Sequence, residues 1–292
     1  MHEDNIELLK NTIRDSCGRK NNPSGTEYCY LSVGDVSNIA ASSGMAKRQV
    51  EISALQVEVV PDRYERSIGT VGIEGQIRLL ESTAGVLGAG GLGGMVIENL
   101  ARMGVGRLVI VDDDVFTDSN MNRQLLATEM SLGKPKTEAA RDRVAAVNSA
   151  VEVVVHKCRG DASNVPELFA DCNLAVDCLD NLSSRYDLEE ACSKLDIPMI
   201  HGAIAGYLGQ LAVIRPGKPL LSAIYGKKGD SQFDRGAEVQ LGNPAATPSM
   251  LASWQSSEAV KILAGVEGVL PSNMMLIIDM QSGDSYRVEV DS

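Results

Sequence analysis

The chain has 292 residues, 44% hydrophobic, 23% charged and only 4% aromatic, with a formal net charge of -12. That length is enough to bury a large core, while so acidic and aromatic-poor a composition argues against a broad basic or base-stacking surface, so nucleic acid is not an expected partner. No apolar run reaches the roughly 18 residues of a membrane-crossing helix, and the polar start MHEDNIELLK lacks the order of a signal peptide, so a cytoplasmic protein is expected.

Residues 1–60 read as a helical N-terminal extension. Ile6, Leu8 and Leu9 mark a first short helix, GRKNNPSGTE a polar loop, and LSVGDVSNIAASSGMAKRQVEISALQ two short helices around a turn at Ser43 and Gly44. Their spacing is that of a helix-turn-helix. The segment is not clearly basic, so an arm packed on the main body or on a second subunit is the preferred reading. From residue 84 onward β and α patterns alternate. AGVLGAG, RLVIVDDD, VEVVVHKC, LAVDCLD, PMIHGAIAG and GQLAVIRPG read as strands, and LGGMVIENLARMG, KTEAARDRVAAVN and SSRYDLEEACSKLD as helices. This order predicts an α/β fold over residues 61–292, a Rossmann-like, mostly parallel sheet with flanking helices. Arg215 to Pro248 has no periodicity and reads as a long loop. PSMLASWQSSEAVKILAG reads as a helix with Pro248 near its start and Gly265 at its end, and MMLIIDM and SYRVEV as a closing hairpin.

Four groups of residues carry chemistry. Gly88, Gly90, Gly91 and Gly93 lie between a strand and a helix, where glycine lets backbone approach a phosphate and the helix start offers free N–H groups. Asp112 ends the next strand, placed to accept hydrogen bonds from ribose hydroxyls; Asp114 beside it is a second cofactor-binding candidate. Ser119 to Gln124 and the run Gly133 to Lys136 follow. Arg123 and Lys136 can neutralise a triphosphate and the charge that builds on it during attack, and Asn120 can orient a phosphate or an attacking carboxylate. Lys134 reads as a solvated surface charge. Asp180 stands just past a strand's carboxyl end, where a carboxylate beside a triphosphate suits magnesium; Asp177, inside the apolar run, reads as structural.

In this order the four groups resemble the ThiF/MoeB/HesA branch of the ubiquitin-activating-enzyme superfamily. The likeness covers roughly residues 63–290, from RYERSIGTVGIEGQIRLL through GAGGLGG, VDDDVFTDSNMNRQ, GKPKTEAA, DCLDN and HGAIAGYLGQL to WQSSEAVKILAG and LIIDM. The resemblance implies a homodimeric adenylyltransferase using ATP and magnesium, with an adenylating domain over residues 61–292. By it Asp112 binds ribose, Asn120, Arg123, Gln124 and Lys136 surround the phosphates, Asp180 holds the metal, and Arg66 reaches the partner subunit's site. The implied reaction is attack of a ubiquitin-like sulfur-carrier protein's C-terminal glycine carboxylate on the α-phosphate, releasing pyrophosphate. Two departures matter. None of the six cysteines forms a C-x-x-C pair, so no structural zinc is expected, and none follows Cys192, so a separate sulfur donor is expected to attack the adenylate. A nicotinamide-dependent oxidoreductase, which shares the glycine turn and the acid, and a non-catalytic scaffold binding a ubiquitin-like partner are the alternatives.

Overall fold

A computed structural model describes residues 3–22, 24–229, 236 and 238–290. The N-terminal unit comprises α1 (Glu3–Ser16), β1 (Gly18–Asn21), β2 (Glu27–Leu31), α2 (Val33–Ser43), α3 (Lys47–Gln56) and β3 (Val59–Pro61). Its small sheet has the order β1-β2-β3. The two helices about Gly44 form as their sequence predicts. Ser32 and Asp35 exchange hydrogen bonds in a capping box at the start of α2, and Gly44 ends it in the left-handed conformation. The polar stretch expected to be a loop is instead the β1–β2 hairpin, in register from Gly18 opposite Tyr30 to Asn21 opposite Glu27. Leu9, Ile13, Leu31, Val36, Ile39 and Val50 give this unit a core of its own.

The body begins with α4 (Glu65–Glu81), a helix broken at Gly72. It continues through β4 (Thr83–Leu87), α5 (Gly91–Arg102), β5 (Arg107–Val111), α6 (Lys136–Val147), β6 (Glu152–His156), α7 (Val165–Leu168), β7 (Leu174–Asp177) and α8 (Leu182–Leu195). Then come β8 (Met199–Ala205), β9 (Leu208–Ile214), α9 (Leu221–Tyr225), α10 (Glu238–Leu241), α11 (Ala246–Ala264), β10 (Met274–Asp279) and β11 (Asp284–Glu289). The segment from 215 to 248, expected to be one long loop, carries the short helices α9 and α10; that reading at 230–235 and 237 lies outside the described residues.

These strands form one sheet in the order β11-β10-β9-β8-β7-β4-β5-β6. The pairings from β8 through β7, β4 and β5 to β6 are all parallel, and those from β8 outward to β11 are antiparallel. Burial falls from the centre of the sheet to its edges. β4 and β7 are buried along their length, since helices cover both faces, whereas β11 is exposed along its length. Alternate residues of β4 feed opposite cores, Ala84 and Val86 one and Leu87 the other. Each aliphatic side chain fully buried there contributes roughly 1.5–3 kcal/mol. Among the described residues no helix is long and apolar enough to cross a membrane.

Candidate active site

From β4 the chain adds β5 and then β6 on one side, while β7 pairs with the other. A crevice therefore opens at the carboxyl ends of these strands, where ligands of open α/β sheets bind. It holds a cavity of about 660 Å³ lined by Gly88, Gly90, Gly91, Asp112, Asp114, Arg123, Gln124, Lys136 and Asp180, all singled out from sequence. Gly88 has φ +95°, and a Cβ there would lie 2.6 Å from the Cys178 carbonyl oxygen, so only glycine fits. Gly93 does not line the cavity. A Cβ on it would overlap the Gly88 carbonyl, so its part is to let α5 pack closely under the turn. α5 starts at Gly91 with no side-chain cap, leaving first-turn N–H groups to be satisfied at the cavity edge.

The acids and bases interlock. Asp112 accepts the Ala89 N–H at 2.7 Å and the Asp114 N–H at 2.8 Å, tying the glycine turn to the end of β5. Burial pushes its carboxyl pKa up, against the pull of Lys136 and these two donors. Lys136 opens α6 and is buried; its Nζ lies 2.8 Å from Asp114 Oδ2, and its own N–H bonds to the Asp114 carbonyl. Arg123 donates to the Ser119 carbonyl at 3.0 Å and to Asn122 Oδ1 at 2.8 Å. Gln124 is buried with its Oε1 unpaired, a polar atom still waiting for a donor. Besides Gly93, two more predicted residues lie off the cavity lining. The Asn120 side chain accepts the Thr117 N–H at 3.0 Å and holds the turn before Arg123. Arg66 is exposed on α4, 3.0 Å from Glu65.

Sequence reasoning missed two cations in the lining, Arg159 and Arg185. Both had a signal. Arg159 follows the end of β6, and Arg185 sits one helical turn past Asn181, whose side chain caps α8 at the Ser184 N–H. With them, Arg123, Lys136, Arg159 and Arg185 balance Asp112, Asp113, Asp114 and Asp180 in the lining. The cavity thus escapes the acidity of the chain as a whole, which a polyphosphate requires. Under its floor Asp177 is fully buried, as the structural reading expects, 2.6 Å from His201 Nδ1.

The profile of the ThiF family matches residues 64–292. The chain belongs to the ThiF family. It is 38% identical to the SAMP-activating enzyme E1 of Haloferax volcanii over 75% of this chain and 81% of that one. It is 34% identical to the sulfur carrier protein adenylyltransferase of Thermus thermophilus, over 74% of this chain and 82% of that one. The adenylyltransferase and sulfurtransferase MOCS3 of Aedes aegypti is 33% identical over 75% of this chain, which spans only 51% of that longer protein. Among solved structures, E. coli MccB with MccA superposes with a TM-score of 0.68 at 18% identity, over 88% of this chain and 82% of that one, a likeness of fold. The chain is an adenylyltransferase, as its relatives are, and adenylyl transfer draws on ATP. The nicotinamide alternative has no counterpart among these relatives.

Proposed function

We propose that the chain transfers AMP from ATP to the C-terminal glycine carboxylate of a ubiquitin-like sulfur-carrier protein, releasing pyrophosphate. One observation carries the reading. The glycine turn, Asp112, Arg123, Gln124, Lys136 and Asp180, spread over nearly a hundred residues of sequence, all line a single cavity. The carboxylate oxygen attacks the α-phosphorus directly. It is already ionised, so no protein nucleophile is needed, and catalysis comes from positioning and charge neutralisation. In this reading the α5 N-terminus and Gly88, Gly90 and Gly91 cradle phosphate, Asp112 takes the ribose, and Arg123, Lys136 and Gln124 hold the triphosphate. Asp114 pairs with the Lys136 ammonium and shares its charge with the phosphates.

A magnesium ion would neutralise phosphate charge and aid the departure of pyrophosphate. Asp180 is suited to it, because magnesium needs only one or two carboxylates when phosphates and water complete its shell. Arg66, exposed on α4, would act in the site of the second subunit of a homodimer, and Asn120 would act through the turn that carries Arg123. The exposed Leu208, Tyr286 and Val288 share one face of β9–β11 by register, in line with Ala203 of the cavity wall. The carrier's globular body would rest there while its tail reaches the phosphates. The cysteines favour adenylation alone, with a separate sulfur donor: even Cys158, the partly exposed thiol in the cavity lining, is pushed up by burial and by Asp113 and Asp161. Burial pushes the thiols of Cys172, Cys178 and Cys192 up, Cys172 to about 12, so none of the three is a ready thiolate.

The test is ATP–pyrophosphate exchange with a ubiquitin-like carrier ending in Gly-Gly. Exchange should require the carrier and vanish when both terminal glycines are removed. Exchange that persists without those glycines would refute the proposal.

A further inference from the structure

Beneath the cavity lies a chain of hydrogen bonds that the reaction itself does not require. His201 of β8 lies with Nδ1 2.6 Å from Asp177 Oδ2 and Nε2 2.9 Å from the Tyr225 hydroxyl. Asp177 and His201 are both fully buried. The amide nitrogen of Gln210 on β9 donates to the same hydroxyl. These contacts set the direction of every proton. With the Gln210 nitrogen donating, the phenol oxygen accepts and sends its own hydrogen to His201 Nε2. The imidazole is then neutral, carries its proton on Nδ1 and donates it to Asp177. Each member has its partner in this arrangement, and burial, which pushes the His201 pKa down, favours the same neutral form.

The other end of the chain reaches the reacting region. Asp177 Oδ1 accepts the N–H of Leu179 at 3.0 Å. The Leu179 carbonyl accepts from Arg185 at 2.7 Å, and the Arg185 Nε lies 3.4 Å from Asp177 Oδ2. Leu179, the residue that leads into Asp180, is therefore held at both its N–H and its carbonyl by groups answering to one carboxylate. Tyr225 and Gln210, at the outer end, belong to α9 and to the sheet face beside Ala203.

We propose that Tyr225, acting through His201 and Asp177, is a positioning residue that sets the Leu179–Asp180 corner of the cavity from the antiparallel side of the sheet. The proposal rests on the reading of Asp180 as a magnesium ligand. Replacing Tyr225 by Phe leaves His201 Nε2 without a donor and the Gln210 nitrogen without an acceptor. The imidazole loses one of its two anchors, and Asp177 its fixed partner. Partners that orient a metal ligand typically change metal affinity by about 10-fold or more.

The test is a magnesium titration of ATP binding to the full chain by calorimetry, with the melting temperature recorded for each variant. Wild type should bind ATP with a defined magnesium midpoint. Tyr225→Phe should raise that midpoint about 10-fold, a shift that a lower folded fraction would not produce. Gln210→Ala, which leaves the His201–Asp177 bond intact, should raise it less and in the same direction. If Tyr225→Phe fails to fold, Gln210→Ala decides. An unmoved midpoint in whichever folded variant is measured overturns the proposal. ATP binding by wild type that ignores magnesium would instead remove the Asp180 reading, and this proposal with it.

Discussion

Two buried carboxylates, Asp177 and Glu51, both inaccessible to solvent, have opposite surroundings. Asp177 is fully engaged, accepting from the Leu179 N–H on one oxygen and facing His201 and Arg185 on the other. Glu51 of α3 is half engaged. Tyr64 donates to its Oε2 at 2.9 Å, but Oε1 has no hydrogen bond and only Arg63 Nε at 3.4 Å. Tyr64 in turn accepts from Asn148, which follows α6 and also bonds to the Ala101 carbonyl. The Glu51 cluster joins the N-terminal unit to the body, and none of its residues lines the cavity. The Asp177 cluster grips the peptide next to Asp180. Burial alone thus does not assign a role to a polar group; what its partners are attached to does.

The largest expected effect tests the cavity side. Asp180→Ala should cut carrier-dependent ATP–pyrophosphate exchange by about 10²–10³-fold, the scale of losing one main electrostatic contact to the transition state. Asp180 is exposed, so the melting temperature should hold. Unchanged exchange in a folded variant would remove Asp180 from the site. Tyr64→Phe tests the other side. It strips the donor from Glu51 and the acceptor from Asn148, at a cost of about 1–3 kcal/mol in a denaturant melt. ATP affinity should stay at the wild-type value. A variant that kept its stability but bound ATP worse would overturn the contrast between the two clusters.

What the sequence made legible follows from how local each signal is. The glycine turn, Asp112 and Asp180 stand at strand ends that the β/α alternation already marks. Gln124 and Lys136 came from a motif whose shape no periodicity reveals. The β1–β2 hairpin was hidden because GRKN is short and polar and buries no residue, so nothing marks it as the partner of EYCYL. Arg185 was hidden because its helix, SSRYDLEEACSKLD, carries many charges and none is marked by spacing, although this residue is buried. The Asp177–His201–Tyr225 chain joins residues 24 positions apart on three elements, and no spacing rule brings them together.

The pH dependence of stability separates the clusters by sign. Burial raises the Glu51 pKa from its ordinary 4.5 to about 6. The folded state then binds that proton more tightly than the unfolded one, so this cluster gains stability as pH falls through 6 toward 4.5. The gain is about 2 kcal/mol at most, at 1.36 kcal/mol per unit. His201 is shifted down from 6.5 by burial, so the folded state resists its protonation and loses stability as pH falls below 6.5. Glu51→Gln should abolish the gain and leave the loss, and His201→Gln the reverse, in urea melts between pH 4.5 and 7. Parallel pH curves for wild type and Glu51→Gln would show that Glu51 titrates as it does in water.

The smallest effect expected is at Asp114. Its carboxylate is largely exposed while the Lys136 ammonium it meets is buried, so the pair is screened on one side only. Asp114→Asn should therefore cost less than about 1 kcal/mol of stability, as exposed ion pairs do. The asymmetry still matters for binding. Without its carboxylate partner Lys136 keeps its place at the start of α6, fixed by its backbone bond to the Asp114 carbonyl, and its ammonium faces the cavity alone. ATP should then bind as well as before or slightly tighter, by less than about threefold, because the phosphates no longer compete with Asp114 for that charge. A loss of ATP affinity in Asp114→Asn would mean that the Asp114 carboxylate itself contacts the nucleotide or its metal, and the site would need a second acidic ligand beside Asp180.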